Sequence, residues 1–148
     1  MAKAYRTHWD ERAGAAANAR RELARLAGQY FARMRRELEK QPAPKDLHRL
    51  RLATKRFRYT LELFRPCYGP ALDRRLAALR TVQQVLGEVN DSVATARLLP
   101  KPAKARAWLE RRTAEKAGEF RKHWTETFDA PGQEALWIRY LERNARSR

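Results

Sequence analysis

The chain has 148 residues, 43% hydrophobic and 34% charged, which suits one domain with a substantial core and excludes a disordered chain. Its 33 Lys and Arg against 17 Asp and Glu leave a formal charge of +16; such a surplus repels itself in a compact state, so a polyanionic partner is the economical explanation and an arginine-rich surface the bland alternative. The single cysteine, Cys67, excludes an internal disulfide and a thiolate-built metal site, and without a signal-like or membrane-length apolar run a cytoplasmic protein is expected.

Gly and Pro are few (6 and 7), and Ala, Leu, Arg and Glu dominate, which favours helix over sheet. Residues 1–12 are polar and expected to be loose. Over residues 13–40, Leu23, Leu26, Tyr30, Met34 and Leu38 share one side of a predicted first helix. Gln41-Pro42-Ala43-Pro44 breaks it, because proline lacks an N–H and constrains the residue before it. Asp46 is then placed to cap or charge the start of the second helix.

That helix ends near Phe64, where Pro66, Gly69 and Pro70 turn the chain. A third helix begins at Ala71 or Asp73, with Leu72, Leu76, Leu79, Gln83, Leu86 and Asn90 on one stripe. A bend is expected at Asn90-Asp91-Ser92 and an end at Leu98-Leu99. A fourth spans residues 103–128, with Phe120, Trp124 and Phe128 at steps of four. After Pro131-Gly132, a fifth spans residues 133–146 with Leu136, Trp137, Tyr140 and Leu141. The pattern needs no strand. It predicts an all-α fold: an antiparallel four-helix bundle over residues 13–130, then a short extra C-terminal helix and basic tail over 131–148.

The second helix carries the most information. Leu47, Leu50, Thr54, Phe57, Leu61 and Phe64 form an apolar face. His48, Arg51, Lys55, Arg58 and Glu62 repeat the spacing one position along, so they border the core instead of opposing it. Cations needed only for solubility belong on the far face; cations beside the core line a groove. Residues 45–65 hold seven cations (Lys45, Arg49, Arg51, Lys55, Arg56, Arg58, Arg65) against Asp46 and Glu62. Like charges three and four apart cost a few tenths of a kcal/mol per pair, which bound phosphate oxygens would offset. His48 in the first turn adds a cation whenever a neighbouring phosphate favours its protonated form. A solvated basic face is the plain alternative.

Gln83 and Asn90 interrupt the leucine stripe of the third helix, beside Gly87 and Asp91. Buried amides need partners, and Arg58, Tyr59 and Glu62 of the preceding helix are the candidates. Glu62 and Asp91 are expected to hold arginines in place, and Gly87 to let the helices approach. On the fourth helix Lys104, Arg111 and Arg121 share a row with Ala107, Ala114 and Gly118, leaving room for a chain-like ligand. No Gly-rich phosphate loop, paired-histidine motif or catalytic triad order is present, so neither an enzyme nor a cofactor is expected.

His48-Arg49-Leu50-Arg51 with Lys55 to Leu63, followed by Val82-Gln83 and Leu86-Gly87-Glu88-Val89-Asn90-Asp91, resembles the CHAD (conserved histidine α-helical domain) family in motifs, order and separation. The match is specific over residues 46–99 and compatible over the flanking helices. It implies a helical bundle with a basic groove that binds inorganic polyphosphate, in proteins that commonly associate with polyphosphate granules. Carried over by position, His48, Arg51, Lys55, Arg58 and Tyr59 would line the basic surface, with Gln83, Asn90 and Asp91 in the polar row of the facing helix. The charge pattern itself adds Arg49, Arg56, Lys104 and Arg111 to the candidate ligand contacts and Glu62 to the supporting network. Family members usually carry two such repeats; this chain has one, resembling the C-terminal repeat by its Arg-Tyr-x-x-Glu pattern, so a homodimer is expected to rebuild the pair. A nucleic-acid-binding helical protein and a module for an acidic protein partner are the alternatives, and a polyphosphate hydrolase ranks behind them.

Overall fold

A computed structural model describes residues 5–98 and 102–147. Among the described residues every regular element is helical: α1 (Ala15–Glu39), α2 (His48–Leu63), a short α3 (Arg65–Tyr68), α4 (Asp73–Leu98), α5 (Ala103–His123) and α6 (Gln133–Asn144). The expected all-α bundle is the observed fold. Tight 3-10 turns, Pro44–Asp46 and Gly69–Leu72, lead into α2 and α4, each with proline in its first turn, where a lost N–H costs nothing.

Side-chain pairs between helices fix their directions. A Cβ on Gly28 would touch Ile138, and Arg20 donates to the Ala145 carbonyl at 2.7 Å, so α1 and α6 run antiparallel. Arg51 lies against Gly87 while Glu62 meets Arg80, which sets α2 antiparallel to α4. Ser92 meets Thr113 and Glu88 meets Lys116, doing the same for α4 and α5. Tyr30 joins α1 to Thr54 and Phe57 of α2. Just past the end of α5, Trp124 and Phe128 pack edge-to-face with the Tyr30 ring at 5.8 and 6.0 Å, and the bundle closes there.

Aromatic rings fill that closed end: Tyr30, Phe31, Phe57, Trp124, Phe128 and Trp137 are all buried. Each such side chain contributes about 2–3 kcal/mol through lost water contact. Thr54 donates to the Leu50 carbonyl at 2.8 Å, so its oxygen is left to accept from the Tyr30 hydroxyl, also at 2.8 Å. That bond satisfies a phenol whose burial pushes its pKa well above the ordinary tyrosine range.

The structure differs from the expectations in five places. Asp46 caps nothing; it sits in the 3-10 turn and pairs with Arg49 at 3.6 Å. α4 runs unbroken through Asn90, Asp91 and Ser92 to Leu98, and Leu99 lies outside the described residues. α5 widens into a π-helical turn at Trp124–Phe128, where the two end rings stack at 4.9 Å. The segment expected to be loose is tethered over its described part: Tyr5 N–H donates to Thr60, His8 N–H to Glu22 and Asp10 N–H to Asn18, at 2.7–2.9 Å. The extra helix α6 is no appendage. It buries Trp137 and Leu141 in the common core, entered through Gly132 at a φ of 87° that favours glycine.

Candidate functional site

Burial of Leu47, Leu50, Thr54, Phe57 and Leu61 fixes the rotation of α2, and with it the adjoining stripe of His48, Arg51, Lys55, Arg58 and Glu62. Toward the start of α2 this stripe opens on a cavity of about 530 Å³ between α2 and α4, lined by Lys45, His48, Arg51, Asn90 and Arg97 among others. His48 is exposed, and its Nδ1–H donates to the Lys45 carbonyl at 2.9 Å. That bond assigns the ring proton to Nδ1 and leaves Nε2 free for a ligand.

Arg51 is half-buried along α4. A Cβ on Gly87 would stand 3.4 Å from its Nε, so the glycine makes room for a guanidinium and not, as expected, for a helix backbone. The Nε atoms of Arg51 and Arg58 are buried without a hydrogen-bond partner. Arg58 lies over the Tyr59 ring at 4.8 Å and reaches Glu62 at 3.6 Å, and Glu62 also holds Arg80 at 3.4 Å. Stacking and pairing thus orient one guanidinium from two sides.

The remaining candidates divide. Lys55 is half-buried and shares the face of Arg51 and Arg58 by helical spacing. Asn90 lines the cavity and is exposed, whereas Gln83 is half-buried with its carbonyl oxygen unpartnered. Among the described residues neither amide bonds to Arg58, Tyr59 or Glu62, so the polar network expected across the two helices is reduced to Glu62 with Arg58 and Arg80. Asp91 is exposed on α4. Arg49 turns to Asp46, and Arg56 lies over the Tyr5 ring at 4.5 Å; spacing puts both off the Arg51 face. Lys104 and Arg111 line a separate cavity of about 660 Å³ on α5, with Trp108. Arg121 is taken up structurally, donating to the Pro42 carbonyl at 2.9 Å.

One cavity cation, Arg97, escaped the sequence reading, and Lys45 was counted among the cations of the second helix without a place in its row. The signal for Arg97 was present, since Gln83, Asn90 and Arg97 stand seven apart on one face of α4.

Several acids elsewhere are committed. Asp129 and Glu134 hold Arg35 at 2.5 and 2.6 Å, Asp73 holds Arg65 at 2.8 Å, and Glu22 holds Arg25 at 2.8 Å. Among the described residues no acid forms an ion pair with Arg51, Lys55 or Arg97. Nor does any group of three or more His, Cys, Asp or Glu there stand placed to hold a metal. No helix among the described residues is long and apolar enough to cross a membrane. What α2 and α4 present together is an open trough whose lining carries Lys45, Arg51 and Arg97 with His48, and Asp46 as its acid.

No curated protein and no solved structure matches this chain. A family model does match, that of the CHAD domain, over residues 2–100, which takes in α1, α2 and α4 and with them the whole trough. On that match the chain belongs to the CHAD family.

Proposed function

We propose that the chain binds inorganic polyphosphate in the α2–α4 trough and does not catalyse its turnover. The observation that carries this is a cation row bordering the core with no acid paired to Arg51, Lys55 or Arg97 among the described residues. Membership of a family known in general for polyphosphate binding supports it. In this reading Arg51, Lys55 and Arg58 contact phosphate oxygens directly. His48 offers Nε2, Asn90 and Gln83 offer amides, and Tyr59 and Glu62 hold Arg58 in place. Arg49 and Arg56 add to the field from outside the trough. Polyphosphate has a dense charge and no bases, so it asks for cation rows and no stacking platform. Binding of nucleic acid or of an acidic protein is the competing use of the same charges.

The same reading includes a homodimer that restores the family's two-repeat arrangement, in the cytoplasm and in association with polyphosphate granules. Sedimentation equilibrium tests the dimer: a single species at the protomer mass would remove it.

The functional test is a competition at about 150 mM ionic strength, where distant surface charges are screened. Labelled long-chain polyphosphate is bound and then challenged with duplex DNA or single-stranded RNA at equal phosphate concentration. Displacement by unlabelled polyphosphate alone is the expected result. Equal competition by nucleic acid would reduce the trough to a generic basic face.

A further inference from the structure

The trough does not stop at the start of α2. Its Lys45, Val93 and Arg97 also line a second cavity of about 470 Å³, which passes over Pro44 and Ala96 to Glu110 and Ala114 of α5. Glu110 and Ala114 in turn line the cavity of about 660 Å³ that holds Lys104, Trp108 and Arg111. Shared lining residues set the three side by side, and together they trace a surface channel from α2 to the outer face of α5.

Charge is distributed along that channel in a way a compact anion cannot use. His48 and Arg51 mark one end, Lys45 and Arg97 the shared rim, and Lys104 and Arg111 the other end. Between rim and far end the walls are small and mostly uncharged, Ala43, Pro44, Ala96 and Ala114 among them, with Glu110 the acid on the way. A flexible chain with a charge on every unit can be held at the cations and cross the uncharged stretch. Lys104 to Arg111 alone extends about 10 Å along its helix, too far for one phosphate group to bridge.

We propose that a long polyphosphate chain leaves the α2–α4 trough over the Lys45–Arg97 rim and continues onto Lys104 and Arg111. α5 lies beyond the residues 2–100 that match the family, so it gives this chain a preference for ligand length that the trough does not have. The inference rests on the polyphosphate reading above.

The test compares tripolyphosphate with long-chain polyphosphate on the wild-type protein, Lys104→Ala/Arg111→Ala and Glu110→Gln, with circular dichroism to verify folding. Both cations are exposed and enter no ion pair among the described residues, so their removal leaves the bundle intact. The double variant is expected to bind the long chain about thirtyfold more weakly, the effect of two cations beside a phosphate-dense surface. Its salt slope on the long chain should fall by about 1.4, with tripolyphosphate binding unchanged. Glu110→Gln should tighten the long chain alone. An equal loss on both ligands, or no loss on the long chain, overturns the extension and leaves the trough standing. A wild-type protein that binds neither ligand overturns the polyphosphate reading and this inference with it.

Discussion

Replacing Arg51, Lys55 and Arg58 together by alanine separates a binding row from a structural one. Each cation beside a phosphate-dense surface is worth about 1 kcal/mol, so losing three raises Kd by about 150-fold. The slope of log Kd against log salt should fall by about 2, since about 0.7 of a counterion is released per contact. Stability moves little. Arg58 loses its place over Tyr59 at 4.8 Å and its pairing with Glu62 at 3.6 Å, together about 1 kcal/mol. Against that, removing like charges three and four apart on α2 returns a few tenths of a kcal/mol per pair. Glu62 keeps Arg80 at 3.4 Å and is not stranded. Fluorescence anisotropy with labelled polyphosphate across a salt series, with a thermal melt at each composition, reads both quantities. An unchanged affinity and slope would refute the assignment of the row to ligand. A melt that collapses with binding would show that the three side chains hold the bundle together.

Gly87→Leu should push Arg51 off α4, because even a Cβ would stand 3.4 Å from its Nε; polyphosphate affinity should drop severalfold while the melt holds, and unchanged binding would mean that Arg51 needs no such seat. Gln41 has a φ of 50° just past the end of α1, where a side chain costs about 1 kcal/mol that glycine avoids, so Gln41→Gly should raise the chemical-denaturation midpoint. Burial works to raise the pKa of Glu22, but hydrogen bonds from Arg25, the His8 N–H and Arg21 outweigh it and hold the carboxyl at about 2 against the usual 4.5. A carboxyl lowered on folding stabilises above its ordinary range and loses that contribution as pH falls from about 4.5 toward 2. Glu22→Gln should therefore cost about 2 kcal/mol at neutral pH and flatten the acid limb of a stability–pH curve.

Periodicity revealed the bundle because burial in a helical protein is a matter of spacing. The stripe Leu50, Thr54, Phe57 and Leu61 is buried as a unit, and so is Phe120, Trp124 and Phe128. The same spacing placed His48, Arg51, Lys55 and Arg58 at the edge of the core, and the first two line the cavity there. What spacing could not supply was the partner of each polar group, since that depends on contacts between helices. Arg56 shares its helix with Arg58 but lies over Tyr5, a residue 51 positions away, and Arg121 turns to the Pro42 carbonyl. Gly87 reads as a close helix contact in one dimension and is a guanidinium seat in three. Asp46 sits at a cap position by sequence, yet the 3-10 turn of Pro44–Asp46 delivers its side chain to Arg49 instead.

Aromatic placement gives the sharpest discrimination between a bare phosphate chain and a nucleic acid. Single-stranded nucleic acid binds on cationic grooves that also offer rings for base stacking, worth about 1–3 kcal/mol per base. In this protein most large rings are spent on the core: Tyr30, Phe31, Phe57, Trp124, Phe128 and Trp137 are buried, and the half-exposed Trp9 stacks on Phe64 at 6.4 Å. Tyr59 sits beneath Arg58. Trp108 is different, 57% exposed and sharing a cavity with Lys104 and Arg111. A base could stack there, whereas a polyphosphate chain gains nothing from the indole. Trp108→Ala should therefore leave long-chain polyphosphate affinity within about twofold, a change below the 1.4 kcal/mol of a tenfold effect. On single-stranded RNA the nucleic-acid alternative demands a loss of tenfold or more from the same substitution. Measuring both ligands on one preparation makes the comparison internal, because any loss of fold would weaken the two together. A variant that keeps polyphosphate and loses RNA would show bases stacking on α5 and would move the function toward nucleic acid. A variant that changes neither leaves cation rows as the sole source of affinity, which is all that a ligand without bases can use.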